Sequence, residues 1–268
     1  MEAFATEKLG RAQASEIAAA VIVAGAAREI DPLLDACGVR HKALIEIKGE
    51  ALIARAARAL GDAGFGERIV IAAPGDLHPV FADVMPPGIA PRFTEAQTTP
   101  AATLLELCAV YEGKGGVLAT TADHALLTPE MLQAFLRDVD DGTGVAAAVV
   151  DSDVYHNAFP NTRQPFVRLK DARFTGANLF WMDPALARPL FEFWRSFEKN
   201  RRAPLKMVRA VGLAAALSYL RGALSEAEVI ALVEERTGVR GQFVRLEDAK
   251  AAIDIARPED LEVARRLL

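Results

Sequence analysis

Cysteine is scarce: Cys37 and Cys108 are the two thiols in 268 residues. Two cannot build a disulfide framework or a cysteine-based zinc site, and they read as small apolar fillers in a reducing compartment. Histidine is almost as rare. His41, His78, His124 and His156 show neither HExxH nor C-x-x-C-H spacing. No apolar run reaches the roughly 18 residues that a membrane span needs. The opening segment, MEAFATEKLGRAQASE, mixes acidic, basic and polar residues without the charged-then-apolar order of a secretion signal, so a cytoplasmic protein is expected. An excess of positive charge is missing too. Lys and Arg number 31 against 36 Asp and Glu, a net charge of -5. That argues against nucleic acid as a partner and leaves room for a local basic pocket.

What is there is half hydrophobic and a quarter charged, enough to bury a large core without staples. Apolar β-rich runs alternate with helical spacing. Glu16 to Gly25 reads as a buried parallel strand entering a turn. Leu44 to Ile47 reads as a short strand. A helix from Ala51 ends at Gly61 or Gly64, and Ile69 to Ala73 is another strand. Thr98 or Thr99 with Pro100 opens a helix, Val117 to Ala119 is a strand, and Thr128-Pro129-Glu130 starts the next helix. TGVAAAVVD is one more strand. This alternation predicts an α/β fold on a mostly parallel sheet.

After Asp151 the pattern predicts an irregular loop, then strands at Val167–Leu169 and Asn178–Phe180 as an edge of the sheet or an insertion in it. Helices follow from Pro184 to Leu232, broken at Pro204 and Gly222. QFVRLED is a late strand, and AAIDIARPEDLEVARRLL a short strand and a final helix. The expected organisation is one domain over 17–268 with an insertion or lid at about 152–232 and an extension at 1–16.

In parallel sheets ligands bind beyond the carboxyl ends of strands. The first strand ends in Ala24-Gly25-Ala26-Ala27-Arg28, whose small residues either let backbone N–H groups approach phosphate or serve packing alone. It is neither a Walker A motif nor GxGxxG. Asp123, just past a strand, suits Mg²⁺ or an Asx turn. Asp254 lies between Ile253 and Ile255, where a buried carboxylate needs a metal, a cap or an ion pair. Arg163, Arg168, Lys170 and Asn178 suit either an acceptor or a solvated hairpin. Lys199, Arg201, Arg202, Lys206 and Arg209 precede an apolar helix, which is either packed on the sheet or a peripheral membrane contact. Trp181 and Trp194 read as packing.

Together these features resemble the nucleotidyltransferases of GT-A-like fold, close to the molybdenum-cofactor guanylyltransferase-like NTP transferases and an uncharacterised bacterial branch of them. The Gly-rich opening and the Lys before an apolar segment are matched by VIVAGAAREIDPLL and HKALIEIKGEALI. The A-D-x-P-x-L-T segment is matched by Ala122 to Thr128, and D-x-D-x-P-E-D-L by Ile253 to Leu261. VRLKDARFTGANLFWMDP and APLKMVRAVGLAAALSYLRGALSEAEV are also similar to segments of that branch. The likeness spans about 17–268.

It implies a Rossmann-like, GT-A-type α/β fold, a mostly parallel mixed sheet with helices on both faces. Ala24, Gly25, Ala26 and Ala122 would hold a nucleoside triphosphate, CTP or GTP rather than ATP or UTP. Arg28 and Lys42 would bind its phosphates, and Asp123 and Asp254 would hold Mg²⁺. A phosphorylated acceptor, a small molecule or lipid precursor bound by Arg163, Lys170 and Asn178, would attack the α-phosphorus. Arg28, Lys42 and Asp123 are the catalytic residues in this reading. The protein would act as a monomer or homodimer. Ala26 and Ala27 replace glycines of the pattern, so the loop is either adapted to another phosphate geometry or lost, and Ala125 replaces a proline. Two other readings stay open: a non-catalytic nucleotide- or nucleotide-sugar-binding relative, and a GT-A glycosyltransferase using the D-x-D of Asp151-Ser152-Asp153.

Overall fold

The computed structural model describes residues 17–25, 31–160, 162, 164–200 and 212–268. Strand β1 (Ile17–Val23) leads through helix α1 (Pro32–Cys37) and a hairpin of β2 (Glu46–Ile47) and β3 (Glu50–Ala51) into α2 (Leu52–Leu60). Then β4 (Ile69–Ala73), α3 (His78–Asp83), β5 (Arg92–Glu95), α4 (Pro100–Tyr111), β6 (Gly116–Thr121), α5 (Pro129–Arg137) and β7 (Val145–Asp151) alternate. The chain continues as α6 (Ser152–Ala158), β8 (Val167–Arg168), β9 (Arg173–Met182), α7 (Pro184–Asn200), α8 (Leu213–Leu220), α9 (Glu226–Thr237), β10 (Gly241–Arg245) and α10 (Pro258–Leu267).

The main sheet has the order β10-β7-β9-β6-β1-β4-β5, with β8 paired to β9. Its pairs are parallel except those made by β9, which runs antiparallel to β6, β7 and β8. This is the expected mostly parallel mixed α/β sheet. Successive side chains of a strand point to opposite faces, and both faces are covered. Ala20 and Ile22 join the core under α2, α5 and α10, while Ala19 and Val21 join a second core under α4 and α7. That is why β1 carries a continuous apolar run rather than an alternating one.

One open expectation is resolved and two are corrected. Of the two places left open for this stretch, an edge of the sheet or an insertion in it, 173–182 takes the second: β9 is hydrogen-bonded to β6 on one side and β7 on the other. Of the charges read as a solvated hairpin or an acceptor site, Arg168 and Lys170 are exposed and precede β9. The segment after Asp151 forms α6, because buried Ser152 and Tyr155 pack one of its faces, and packing overrides the weak helix propensity of its sequence. Ile253 to Ile255 is no strand. A 3-10 turn at Ala249–Ala252 precedes it, and Ile255 N–H bonds the carbonyl of Asp123 at 3.2 Å rather than a neighbouring strand.

Candidate active site

The parallel strands end on one edge of the sheet, and a cleft of about 320 Å³ opens there. Its floor is made by the ends of β1 and β6 and their turns: Val23, Ala24 and Gly25 on one side, Thr120 to Asp123 on the other. Backbone bonds fix both turns. Ala24 N–H reaches the Ala72 carbonyl at 2.8 Å, and Ala122 N–H the Val23 carbonyl at 3.1 Å.

Asp123 is gripped from several sides. The Thr121 hydroxyl donates to its Oδ1 at 2.6 Å. Lys42 Nζ lies 3.1 Å from its Oδ2 and also donates to the Ile255 carbonyl at 3.4 Å. Lys42 stands on a 3-10 turn, Lys42–Leu44, capped by His41. Nδ1 of His41 accepts the Ala43 N–H at 3.1 Å, so Nε2 carries the proton and donates to the Gly25 carbonyl at 2.7 Å. Burial pushes the His41 pKa down, against the raising effect of its Gly25 bond.

Asp254 lies close enough to Asp123 to feel its charge. Burial raises its carboxyl above the usual carboxylate range, the Asp123 charge raises it further, and a hydrogen bond from Asn178 opposes both. Asp254 lines a neighbouring pocket with Tyr155, Gln164 and Arg257 rather than the cleft itself. Two carboxylates close enough to repel are still a donor set that a divalent cation relieves, and Mg²⁺ needs only one or two protein carboxylates beside substrate phosphates. The pair therefore fits the ion. No group of three or more His, Cys, Asp or Glu suited to a metal occurs among the described residues.

The far wall was not legible in advance. Gln97, Thr98 and Thr99 enter from the β5–α4 connection and Thr103 from α4, and Phe180 and Trp194 add apolar lining. The Thr99 hydroxyl caps α4 by accepting Ala102 N–H at 3.2 Å, and Thr103 Oγ1 accepts Gln97 N–H at 2.9 Å. The available signal was the capping threonine before Pro100, since a capped helix start at this edge offers a partial positive charge.

The structure thus brings Ala24, Gly25, Lys42, Ala122 and Asp123 to one cleft; Asp254 lines a neighbouring pocket and is tied to Asn178. Lys170 is exposed, its N–H bonded to the Leu224 carbonyl at 2.9 Å, and it does not line the cleft. Ala26, Arg28 and Arg163 lie outside the described residues, as does the basic stretch from Arg201 to Arg209. Asp151 and Asp153 are also absent from the described lining; Asp151 faces Arg245 at 3.5 Å. Cys108 packs against the Met182 sulfur at 3.8 Å, and burial pushes its thiol up to about 12, which makes it an inert filler. No helix among the described residues is long and apolar enough to cross a membrane.

The family model described as MobA-like NTP transferase domain matches residues 19–239. No curated protein matches the chain. A hypothetical transferase structure from Thermus thermophilus aligns with a TM-score of 0.74 and 27% identity, over 91% of this chain and 100% of that one. A 4-diphosphocytidyl-2C-methyl-D-erythritol synthase from Anaerococcus prevotii aligns with a TM-score of 0.56 and 14% identity, over 94% and 96% of the two chains. A 2-C-methyl-D-erythritol 4-phosphate cytidylyltransferase from Thermus thermophilus aligns with a TM-score of 0.51 and 17% identity, over 94% and 98%. The last two are similar in fold.

Proposed function

Since the chain belongs to the MobA-like NTP transferase domain family, we propose that its cleft moves a nucleotidyl group from a nucleoside triphosphate, CTP or GTP, to a phosphorylated acceptor and releases pyrophosphate. The observation that carries this reading is the Lys42–Asp123 pair at 3.1 Å, set across from the Gly25 turn at the carboxyl edge of the sheet. The acceptor phosphate is already an anion, so the transfer asks little covalent work of the protein. Alignment of the attacking and leaving oxygens and neutralisation of charge carry it.

Lys42 supplies a cation where the leaving pyrophosphate gains charge. Asp123 and Asp254 would hold Mg²⁺, which when bound neutralises phosphate oxygens. Thr121 and Lys42 keep the Asp123 carboxylate aimed, and Asn178 does the same for Asp254. The uncharged amide and hydroxyls of Gln97, Thr98 and Thr99 suit a nucleobase or ribose better than a phosphate. Two structures of similar fold are named for cytidyl compounds, which supports a pyrimidine donor. Asp151 and Asp153 do not line the cleft, so no observation favours sugar transfer.

Calorimetric titration with CTP, GTP, ATP and UTP, each with and without Mg²⁺, tests the proposal. The expected result is tight binding of one triphosphate that requires Mg²⁺, with the requirement weakened in Asp254→Asn. Failure of all four to bind overturns the proposal and turns attention to nucleotide sugars.

A further inference from the structure

His41 performs no step of that transfer, yet both nitrogens of its imidazole are engaged in the cleft wall. One bonds Ala43 N–H at 3.1 Å and the other the Gly25 carbonyl at 2.7 Å. The residue is 5% exposed, and its ring stands edge-on to Phe81 with centroids 5.4 Å apart. Turning the ring out would leave a void against Phe81. His41 thereby joins two cleft-lining segments: the small-residue turn after β1 and the 3-10 turn that carries Lys42.

Gly25 needs such a tether. It has no side chain to anchor the turn, and a Cβ built on it would meet nothing within 4 Å, so side-chain packing does not hold it in place. A carbonyl free to rotate there could present its negative end to an incoming phosphate, the opposite of what an anion site requires. A carbonyl held at 2.7 Å by an imidazole N–H is kept from that orientation. The same ring sets the turn on which Lys42 stands, so anion-binding backbone and cation are held in one frame.

Building on the nucleotidyl-transfer reading, we infer that His41 is a positioning residue for the triphosphate, holding the Gly25 carbonyl away from the phosphates through its Nε2–H. Two substitutions split the ring's two bonds. His41→Gln carries an amide nitrogen near the Nε2 position and keeps the donor to Gly25. His41→Asn carries an oxygen near the Nδ1 position and keeps the cap on Ala43.

The experiment is calorimetric titration of wild type and both variants with the triphosphate that binds wild type and with the corresponding nucleoside, alongside thermal melting. Expected is a loss of about tenfold in triphosphate affinity for His41→Asn, the worth of one positioned hydrogen bond, with nucleoside affinity unchanged. His41→Gln stays close to wild type for both ligands. A merely structural cap gives the reverse order: Asn rescues and Gln fails, and both ligands weaken together. That order, or equal affinity in all three proteins, overturns the inference. If wild type itself binds no triphosphate, the transfer reading falls and this inference with it, whatever the variants do.

Discussion

At Asn178 the backbone adopts φ 47°, a left-handed conformation that few side chains favour. The residue sits inside β9 where the register with β7 shifts between Ala147 and Val149. Its carbonyl accepts from the Thr120 hydroxyl at 3.0 Å, and its side chain bonds Asp254. Strain of this kind persists where the surroundings over-determine it, often at functional sites. Two variants separate strain from function. Asn178→Gly relieves the left-handed φ and loses the amide. Asn178→Ala loses the amide and keeps the strain, so it should be less stable than the glycine variant by about 1 kcal/mol. Both should show a weaker Mg²⁺ requirement in nucleotide binding. Urea unfolding with Mg²⁺ titration checks this, and equal stability of the two would mean that φ carries no cost. Asp123, Lys42 and Asp254 were legible as charged residues beside apolar strand-like segments. The tie from Asn178 to Asp254 was not, because a bulge breaks the period-2 pattern on which strand reading rests. His41 and the Gln97–Thr99 segment were missed for another reason. They are uncharged at neutral pH, and only the fold brings them to the cleft.

Among the elements, the parallel strands and their capped helices were legible because both faces of the sheet are buried and the caps are local. Thr99 and Thr128 stand at the helix starts where the sequence put them. Whether β9 was an edge of the sheet or an insertion in it stayed open, because its central place depends on β6 and β7, strands far away in the chain, and no local pattern records that. The same nonlocality bears on α7, which falls in the stretch expected to be an insertion or lid. Ala187 and Phe191 on α7 are fully buried and belong to the core under β1 and β6. Phe191→Ala should therefore lower global stability by about 3–5 kcal/mol, as for a large core side chain truncated to a cavity. A helix that merely covers the site would lose far less. Chemical denaturation measures the difference, and an unchanged midpoint would remove α7 from the folding core.

The molecule as a whole carries its titration risk at the same edge as its chemistry. His124 follows Asp123 directly, is fully enclosed, and has Nδ1 3.1 Å from the Thr120 hydroxyl. Burial lowers its pKa to about 4, with the Asp123 charge opposing the shift. Above the ordinary histidine value the folded and unfolded chains are both neutral there, and nothing is lost. As the pH falls from 6.5 towards 4, the unfolded chain takes up a proton that the folded chain refuses, so stability falls with acidity. Across the whole window the loss amounts to about 3 kcal/mol. His41, shifted in the same direction by burial, steepens it. Asp254, raised by burial and by Asp123, acts oppositely near the acid end, because its folded form takes up a proton more readily than the unfolded chain. The clean range is therefore pH 7.5 to 5. Urea unfolding across it should show falling stability in wild type and a flatter dependence in His124→Asn, whose side-chain amide can still reach the Thr120 hydroxyl without carrying a titrating ring. Parallel slopes for the two proteins would take the acid sensitivity away from His124.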